Sequence, residues 1–293
     1  MALPQLEHTR VRAADGTSLA VQSYGSGDLT IAIANGLGGT LIAWTPLLRA
    51  LAKRVRFVSW DYRGLYDSDR PSDRSRLEVR DHVADLRAVC DALNVDDFVL
   101  AGWSMGVQVS VQAAADLAGR VRGLVLINGT YGRVFETAFQ APGSRVVLPV
   151  ANRIAMAAGP LMPPVVGRVT RSRLFMPAMS AFGLVDKKLD REVFVEIASG
   201  FKRLDFNTYH RIMGHLNSHD GEPALQQIDI PTLFIAGDKD RMTPPSVVRT
   251  FQRHLDGLET HIVRGGTHYS LLEYPTEVVT RISDFLDTHF AQI

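Results

Sequence analysis

The chain has 293 residues, 46% of them hydrophobic, with 32 Lys plus Arg against 31 Asp plus Glu. That length holds one large domain or a core with an insertion, and the apolar share is enough to bury a substantial core. The charge balance excludes the basic excess expected of a chain whose main partner is nucleic acid, and the single cysteine, Cys90, excludes an intrachain disulfide. The first eight residues carry neither the basic n-region nor the apolar h-region of a secretory signal. No apolar stretch reaches the roughly 18 uncharged residues of a membrane span. A soluble, cytoplasmic protein is expected.

In chain order, strands are predicted over residues 9–13 and 19–24, with Asp15-Gly16 as the turn between them. An apolar strand over 30–34, buried on both faces, ends in Asn35-Gly36-Leu37-Gly38-Gly39. Thr45-Pro46 reads as the start of a helix running to 54. A strand over 55–60 leads into Asp61-Tyr62-Arg63-Gly64, and residues 78–93 show a helical apolar stripe that includes Cys90, expected to be a buried structural thiol. Strands follow over 97–101 and 123–127 with a helix between them. Strands alternating with helices imply a mostly parallel sheet covered on both faces. From about residue 131 to 227 the alternation stops. Helices broken by Pro and Gly are predicted there, rich in Phe, Met and Leu, with Arg133, Arg145, Arg153, Arg168, Arg171 and Arg173 on solvated faces. The alternative reading of these arginines is a cap over the site that meets an anionic substrate or a membrane surface. The pattern resumes with strands over 231–236 and 260–263. A helix capped by Thr243-Pro244 and closed by Gly257 lies between them, and a final helix runs from Pro275 to Phe290. Residues 1–130 and 228–293 thus form the core, and 131–227 an insertion.

The stretch Gly102-Trp103-Ser104-Met105-Gly106 reads Gly-x-Ser-x-Gly between a predicted strand and a predicted helix, which sets Ser104 on a sharp, strained turn. A serine that cleaves an ester needs a base to take its proton, a group to orient that base, and preorganised N–H donors for the oxyanion. Ser104, Asp240 and His268 occur in the order nucleophile, acid, base, each just past the C-terminal end of a predicted strand, where ligands bind in an open parallel sheet. Loop spacing favours Asp240 over the nearby Asp238. His261, the other candidate base, lies inside a predicted strand.

These motifs together resemble the α/β-hydrolase-fold serine hydrolases that carry a helical cap, a group that includes carboxylesterases and C–C bond hydrolases. Gly102 to Gly106 resembles the nucleophile elbow, and Gly237-Asp238-Lys239-Asp240 followed by Pro244 resembles the acid loop. Gly265-Gly266-Thr267-His268 with Leu272-Glu273-Tyr274-Pro275 resembles the histidine loop, and Asn35-Gly36-Leu37-Gly38-Gly39 the oxyanion loop. The resemblance implies an eight-stranded, mostly parallel α/β sheet with helices on both faces and an inserted cap. It also implies oxyanion donors at the backbone N–H groups of Leu37 and Met105. Two positions depart from the pattern. Asn35 stands where a His is usual, and Tyr66 replaces the second Gly of the Asp-x-Arg-Gly-x-Gly-x-Ser motif at residues 61–68.

Trp103, Phe135, Phe139 and Met162 are expected to line the substrate pocket. His215 and His219 have a spacing that can hold zinc, with His210 near, but no carboxylate or cysteine pattern completes a set, so neither metal nor cofactor is expected. The expected activity is cleavage of a carboxylic ester with an apolar portion, by a monomer or homodimer. Hydrolysis of a thioester, lactone or C–C bond, and acyl transfer, reuse the same triad. A ligand-binding receptor on a hydrolase scaffold is the reading from another class.

Overall fold

Every residue of the central strand β5 (Phe98–Trp103) is buried, and its side chains alternate between two cores. Phe98 and Leu100 face one core, whereas Val99, Ala101 and Trp103 face the other. That two-residue period lets one run of apolar residues serve helices on both sides of a sheet. The computed structural model describes residues 5–137, 143–170, 172–189 and 191–290. Eight strands form one sheet: β1 (Glu7–Arg12), β2 (Ser18–Tyr24), β3 (Leu29–Ala34), β4 (Val55–Trp60), β5, β6 (Val121–Ile127), β7 (Thr232–Gly237) and β8 (Glu259–Val263). Their spatial order is β1-β2-β4-β3-β5-β6-β7-β8. The pairs β1–β2 and β2–β4 are antiparallel and all the others parallel.

The helices within the sheet framework are α1 (Thr45–Leu51), α2 (Val79–Ala92) and α3 (Met105–Asp116). Between β6 and β7 come α4 (Val134–Thr137), α5 (Ser144–Ala157), α6 (Met162–Val169), α7 (Phe175–Ala181), α8 (Arg191–Gly200), α9 (Phe206–Ser218) and α10 (Glu222–Leu225). The chain closes with α11 (Val248–Gln252), α12 (Ser270–Glu273) and α13 (Pro275–Phe290). The apolar stripes of α2 and α3 cover one face of the sheet, and those of α1 and α13 the other. Helix α2 starts where its sequence says it should. Glu78 accepts from the Asp81 backbone while the Asp81 side chain accepts the Glu78 N–H, a reciprocal cap. Cys90 is buried on that helix.

The eight-stranded sheet agrees with the sequence reading strand by strand, with ends moved by one or two residues. Three helices differ. Helix α1 stops at Leu51, three residues short of the expected end, before the turn into β4. The helix expected to be capped by Thr243 begins instead as a 3-10 turn at Pro245. Thr243 is taken elsewhere: its N–H and hydroxyl both donate to the Asp240 carboxylate. The short α12 lies in a stretch read only as a loop.

The two ends of the long β6–β7 connection are pinned together. Gly132 and Asp220 form a β-bridge, the Gly221 N–H donates to Tyr131 O (3.1 Å), and the Arg133 N–H donates to His219 O (3.3 Å). Helix α9 anchors the connection from inside, with Phe206, Thr208, Ile212 and Leu216 buried. Helix α5 packs on α9, where Asn152 Nδ2 donates to His210 O at 2.9 Å. No helix among the described residues is long and apolar enough to cross a membrane.

Candidate active site

Ser104 sits at the tip between β5 and α3 with φ +56° and ψ −115°, a left-handed conformation that a residue with a Cβ rarely holds. The surroundings enforce it. The Ser104 N–H donates to Ile127 O (3.0 Å), and the Ser104 carbonyl accepts from the Val107 N–H (3.0 Å). A Cβ on Gly102 would strike the Gly106 carbonyl, and one on Gly106 would strike the carbonyl of Ala34 on β3. Both positions therefore need Gly for close backbone approach.

Three loops at the C-terminal ends of β5, β7 and β8 bring Ser104, Asp240 and His268 together. His268 Nε2 lies 2.9 Å from Ser104 Oγ, and His268 Nδ1 lies 2.8 Å from Asp240 Oδ2. Asp240 and His268 are buried, at 3% and 4% exposure, while Ser104 remains partly open. The Asp240 carboxylate is held by four donors. The Met242 and Thr243 N–H groups reach Oδ1 (2.8 and 2.9 Å), and the Thr243 hydroxyl reaches Oδ2 (2.7 Å) beside His268. Asp238 is exposed and accepts the Gly265 N–H instead. His261 pairs with Glu277 on α13.

The histidine loop is held by Asn128 and Glu273, neither of them a member of the expected triad. Asn128, at the end of β6, donates from Nδ2 to the carbonyls of Thr267 and His268 (both 3.1 Å) and to Ser270 Oγ (2.7 Å), and accepts the Gly237 N–H at 2.8 Å. An amide can donate and accept at once, so Asn128 ties β6, β7 and the loop together where a carboxylate could only accept. Glu273 accepts the Thr267 N–H and hydroxyl and also the Asp186 N–H, which joins the loop to the helical insertion. Burial pushes the Glu273 carboxyl above its ordinary range, against the pull of these donors. The Leu272-Glu273-Tyr274-Pro275 run was the available sign of Glu273. For Asn128 there was only its place after a buried strand.

Facing Ser104 is the loop after β3. Gly36 lies against it: a Cβ built there would be 3.3 Å from Ser104 Cβ and 3.1 Å from the Trp103 ring. The Gly39 N–H donates to Gly36 O (2.8 Å), closing a turn with Gly38 at φ +75° in its third position, as a type II turn requires. Leu37 occupies the second position, and its N–H has no partner among the described residues. Met105 is the first residue of α3, so its N–H has no acceptor within the helix. Both departures from the family pattern prove to be braces. Asn35 donates to Ser59 Oγ (2.9 Å), accepts from Trp44 Nε1 (3.0 Å) and offers its carbonyl to the Tyr62 hydroxyl (2.8 Å). The Tyr66 hydroxyl donates to the Gly38 carbonyl.

Beneath this loop, Arg63 is bound by both Asp85 oxygens and by Asp15, in a buried cluster that anchors residues 61–68. Burial pushes the Asp85 carboxyl up to about 6, opposed by Arg63. Burial likewise pushes Asp61 up to about 6, although it accepts the Asp67 N–H.

The expected pocket residues separate. Trp103 is buried, its ring lies against Gly36 and Gly39, and its indole N–H donates to His268 O at 3.0 Å. That places it as a strut between the two loops, outside the apolar cavity. Phe135 is buried at the base of the insertion, where its N–H donates to Asn217 Oδ1 (3.0 Å). Phe139 lies outside the described residues, and Met162 opens α6. An apolar cavity of about 350 Å³ is lined, among the described residues, by Val165, Val169, Phe194, Ile197, Phe201 and Tyr269 with others. Tyr269 follows His268 in sequence, and Phe201, with Tyr209, closes over Gly38 of the facing loop. No group of three or more His, Cys, Asp or Glu side chains is placed to hold a metal ion among the described residues.

A family model for the alpha/beta hydrolase fold matches residues 30–275. The chain belongs to that family. This α/β-hydrolase is 26% identical to the mouse serine hydrolase BPHL, covering 94% of this chain and 84% of that protein. It is 25% identical to 3-oxoadipate enol-lactonase 1 of Acinetobacter baylyi, over 92% and 94% of the two chains. Among solved structures, an enol-lactonase from Burkholderia xenovorans superposes with a TM-score of 0.74 at 22% identity, over 95% of this chain and 99% of that one. The chain is a hydrolase of the α/β-hydrolase fold.

Proposed function

We propose that the protein cleaves carboxylic esters by acyl transfer through Ser104. The observation that carries this reading is the unbroken run from Ser104 Oγ to His268 Nε2 (2.9 Å) and from His268 Nδ1 to Asp240 Oδ2 (2.8 Å). In the mechanism, His268 Nε2 takes the Ser104 proton as Oγ attacks the ester carbonyl. Asp240 accepts the Nδ1–H and steadies the imidazolium that forms. The oxyanion meets the N–H groups of Leu37 and Met105, supplied by the Gly36–Gly39 turn and the start of α3. Collapse passes the proton from His268 to the departing alkoxide, leaving an acyl group on Ser104. A water, deprotonated by the same nitrogen, then releases the acid.

The relatives named an enol-lactonase and a serine hydrolase favour this chemistry, since a lactone is a cyclic ester. In this reading residues 131–227 are a cap. Support comes from the cavity they line beside Tyr269 and from Phe201 and Tyr209 lying on Gly38.

The test is turnover of a short p-nitrophenyl ester by the native chain and by Ser104→Ala. A loss on the order of 10⁶ in kcat, with the melting temperature held, is expected where a triad acts as one unit. A folded Ser104→Ala protein with native turnover overturns the mechanism.

A further inference from the structure

From Thr137 to Val185 the chain contains no Asp or Glu, yet it contains five arginines, at 145, 153, 168, 171 and 173. The same stretch leaves large apolar side chains in solvent. On α5, Val147, Val150 and Ile154 recur at helical spacing on one stripe, with Val147 at 63% and Ile154 at 66% exposure. Leu161, in the turn after α5, is 70% exposed, and Val165 and Val169 continue its row along α6. The cations are interleaved with these residues. Arg153 lies one turn from Val150, and Arg168 lies between Val165 and Val169 on the same face, all of them exposed. Arg145 stands 3.6 Å from Glu136 while remaining 73% exposed. Helix α5 packs on α9, while Val147, Val150 and Ile154 stay about half exposed or more. Exposed apolar area of this extent marks an interaction surface.

Val165 and Val169 belong to both features: they line the cavity, and they are about half exposed, at 52% and 49%. We propose that α5, the turn at residues 159–161 and α6 form a docking face for an anionic lipid bilayer. On this view the cavity draws its ester from that surface, a clause that rests on the reading of Ser104 as nucleophile. The chemistry fits in both parts: the valines, Ile154 and Leu161 enter the acyl region while the arginines meet lipid phosphates. A second copy of the chain fits badly. Two-fold pairing sets a patch against itself, so a patch carrying Arg153 and Arg168 would meet the same cations, with no carboxylate between residues 137 and 185 to neutralise them.

The test is flotation of the full chain with vesicles of phosphatidylcholine alone and of phosphatidylcholine with phosphatidylglycerol. The native chain should bind the anionic vesicles and come off as salt rises. Val147→Asp with Ile154→Asp, and separately Arg153→Glu with Arg168→Glu, should each lower the bound fraction about tenfold or more. Short-ester turnover in free solution should stay native in both, which shows that the variants fold. Turnover of a long-chain ester carried in anionic vesicles should fall with binding. Native protein that does not bind anionic vesicles, or variants that bind as well as the native chain, overturn the docking face. So does a dimer in sedimentation that the apolar variant dissolves without any vesicle binding. Unchanged turnover of the vesicle-borne ester by unbound variants overturns the second clause alone. Absence of short-ester turnover in the native chain counts against the esterase reading and leaves the vesicle result standing on its own.

Discussion

The strand-end loops and the helical insertion are built by opposite rules. The side chains of Ser104, Asp240, His268, Asn128 and Glu273 are all held in hydrogen bonds, and several backbones around them approach so closely that only Gly fits. Asp240 alone takes four donors, and Asn128 alone makes four hydrogen bonds. In the insertion, α7 buries none of its residues, α5 buries only Ser144, and α5 tolerates Pro149 in its interior. On the proposed mechanism Ser104, Asp240 and His268 react together, and a reacting constellation must be held closely in place, so its loops are over-determined. On the proposed reading α5 and α6 meet a fluid partner, which needs only approximate shape and polarity, and they carry exposed valines.

The sharpest way to break this contrast is at the acid. Asp240→Asn should lower kcat by about 10³–10⁴, because the amide favours the wrong imidazole tautomer. Asp238→Asn should change it little, since Asp238 only holds Gly265. Steady-state kinetics of the two side by side decide the matter, and the reverse ranking moves the acid to Asp238.

Next in size is a pair of glycines. Gly106→Ala drives a Cβ into the Ala34 carbonyl and should cost about 3 kcal/mol or more, or prevent folding. Gly167→Ala on α6 meets only Lys202 Cβ at 3.8 Å, and it should stabilise by roughly 0.5–1 kcal/mol through helix propensity. Urea unfolding of both variants reads the difference. Equal costs would mean that the two regions are packed alike.

The smallest expected effect is a dependence on pH. The Asp61 carboxyl titrates near 6 when folded, above its ordinary value of 3.8, because it is buried. Between those values the folded chain binds more protons than the unfolded one. Asp61 therefore favours folding fully below about 4, and that stability is lost as pH rises through about 6, by at most about 3 kcal/mol. The melting temperature of Asp61→Asn, measured against the native chain, should thus rise between pH 4 and pH 7. A constant difference across that range would show that Asp61 is not held apart from water. The stretch from 137 to 185 has no carboxyl to contribute such a term.

Much of this molecule is written in local patterns. The alternation of apolar runs with helical stripes determines the sheet and its two covering layers, because burial on both faces demands continuous apolar strands. Gly-x-Ser-x-Gly between β5 and α3, and the two later loops at strand ends, bring Ser104, Asp240 and His268 to one edge, since parallel strands end on the same side. What the sequence could not supply was partnership across the fold. Thr243 looked like a helix cap and serves Asp240. Trp103 looked like a pocket wall, yet its indole is committed to the His268 carbonyl. Asn128, at the end of a buried strand, holds the histidine loop. Thr243 bonds within its own loop, three residues back, whereas the bonds of Trp103 and Asn128 join residues far apart in the chain, and only the packing of the sheet brings their donors and acceptors within reach. The cavity wall was equally hidden. Val165 lies on α6, Phe194 and Ile197 on α8, and Tyr269 just before α12, and which apolar residues of an amphipathic helix face a cavity, a core or the outside depends on what is packed against it.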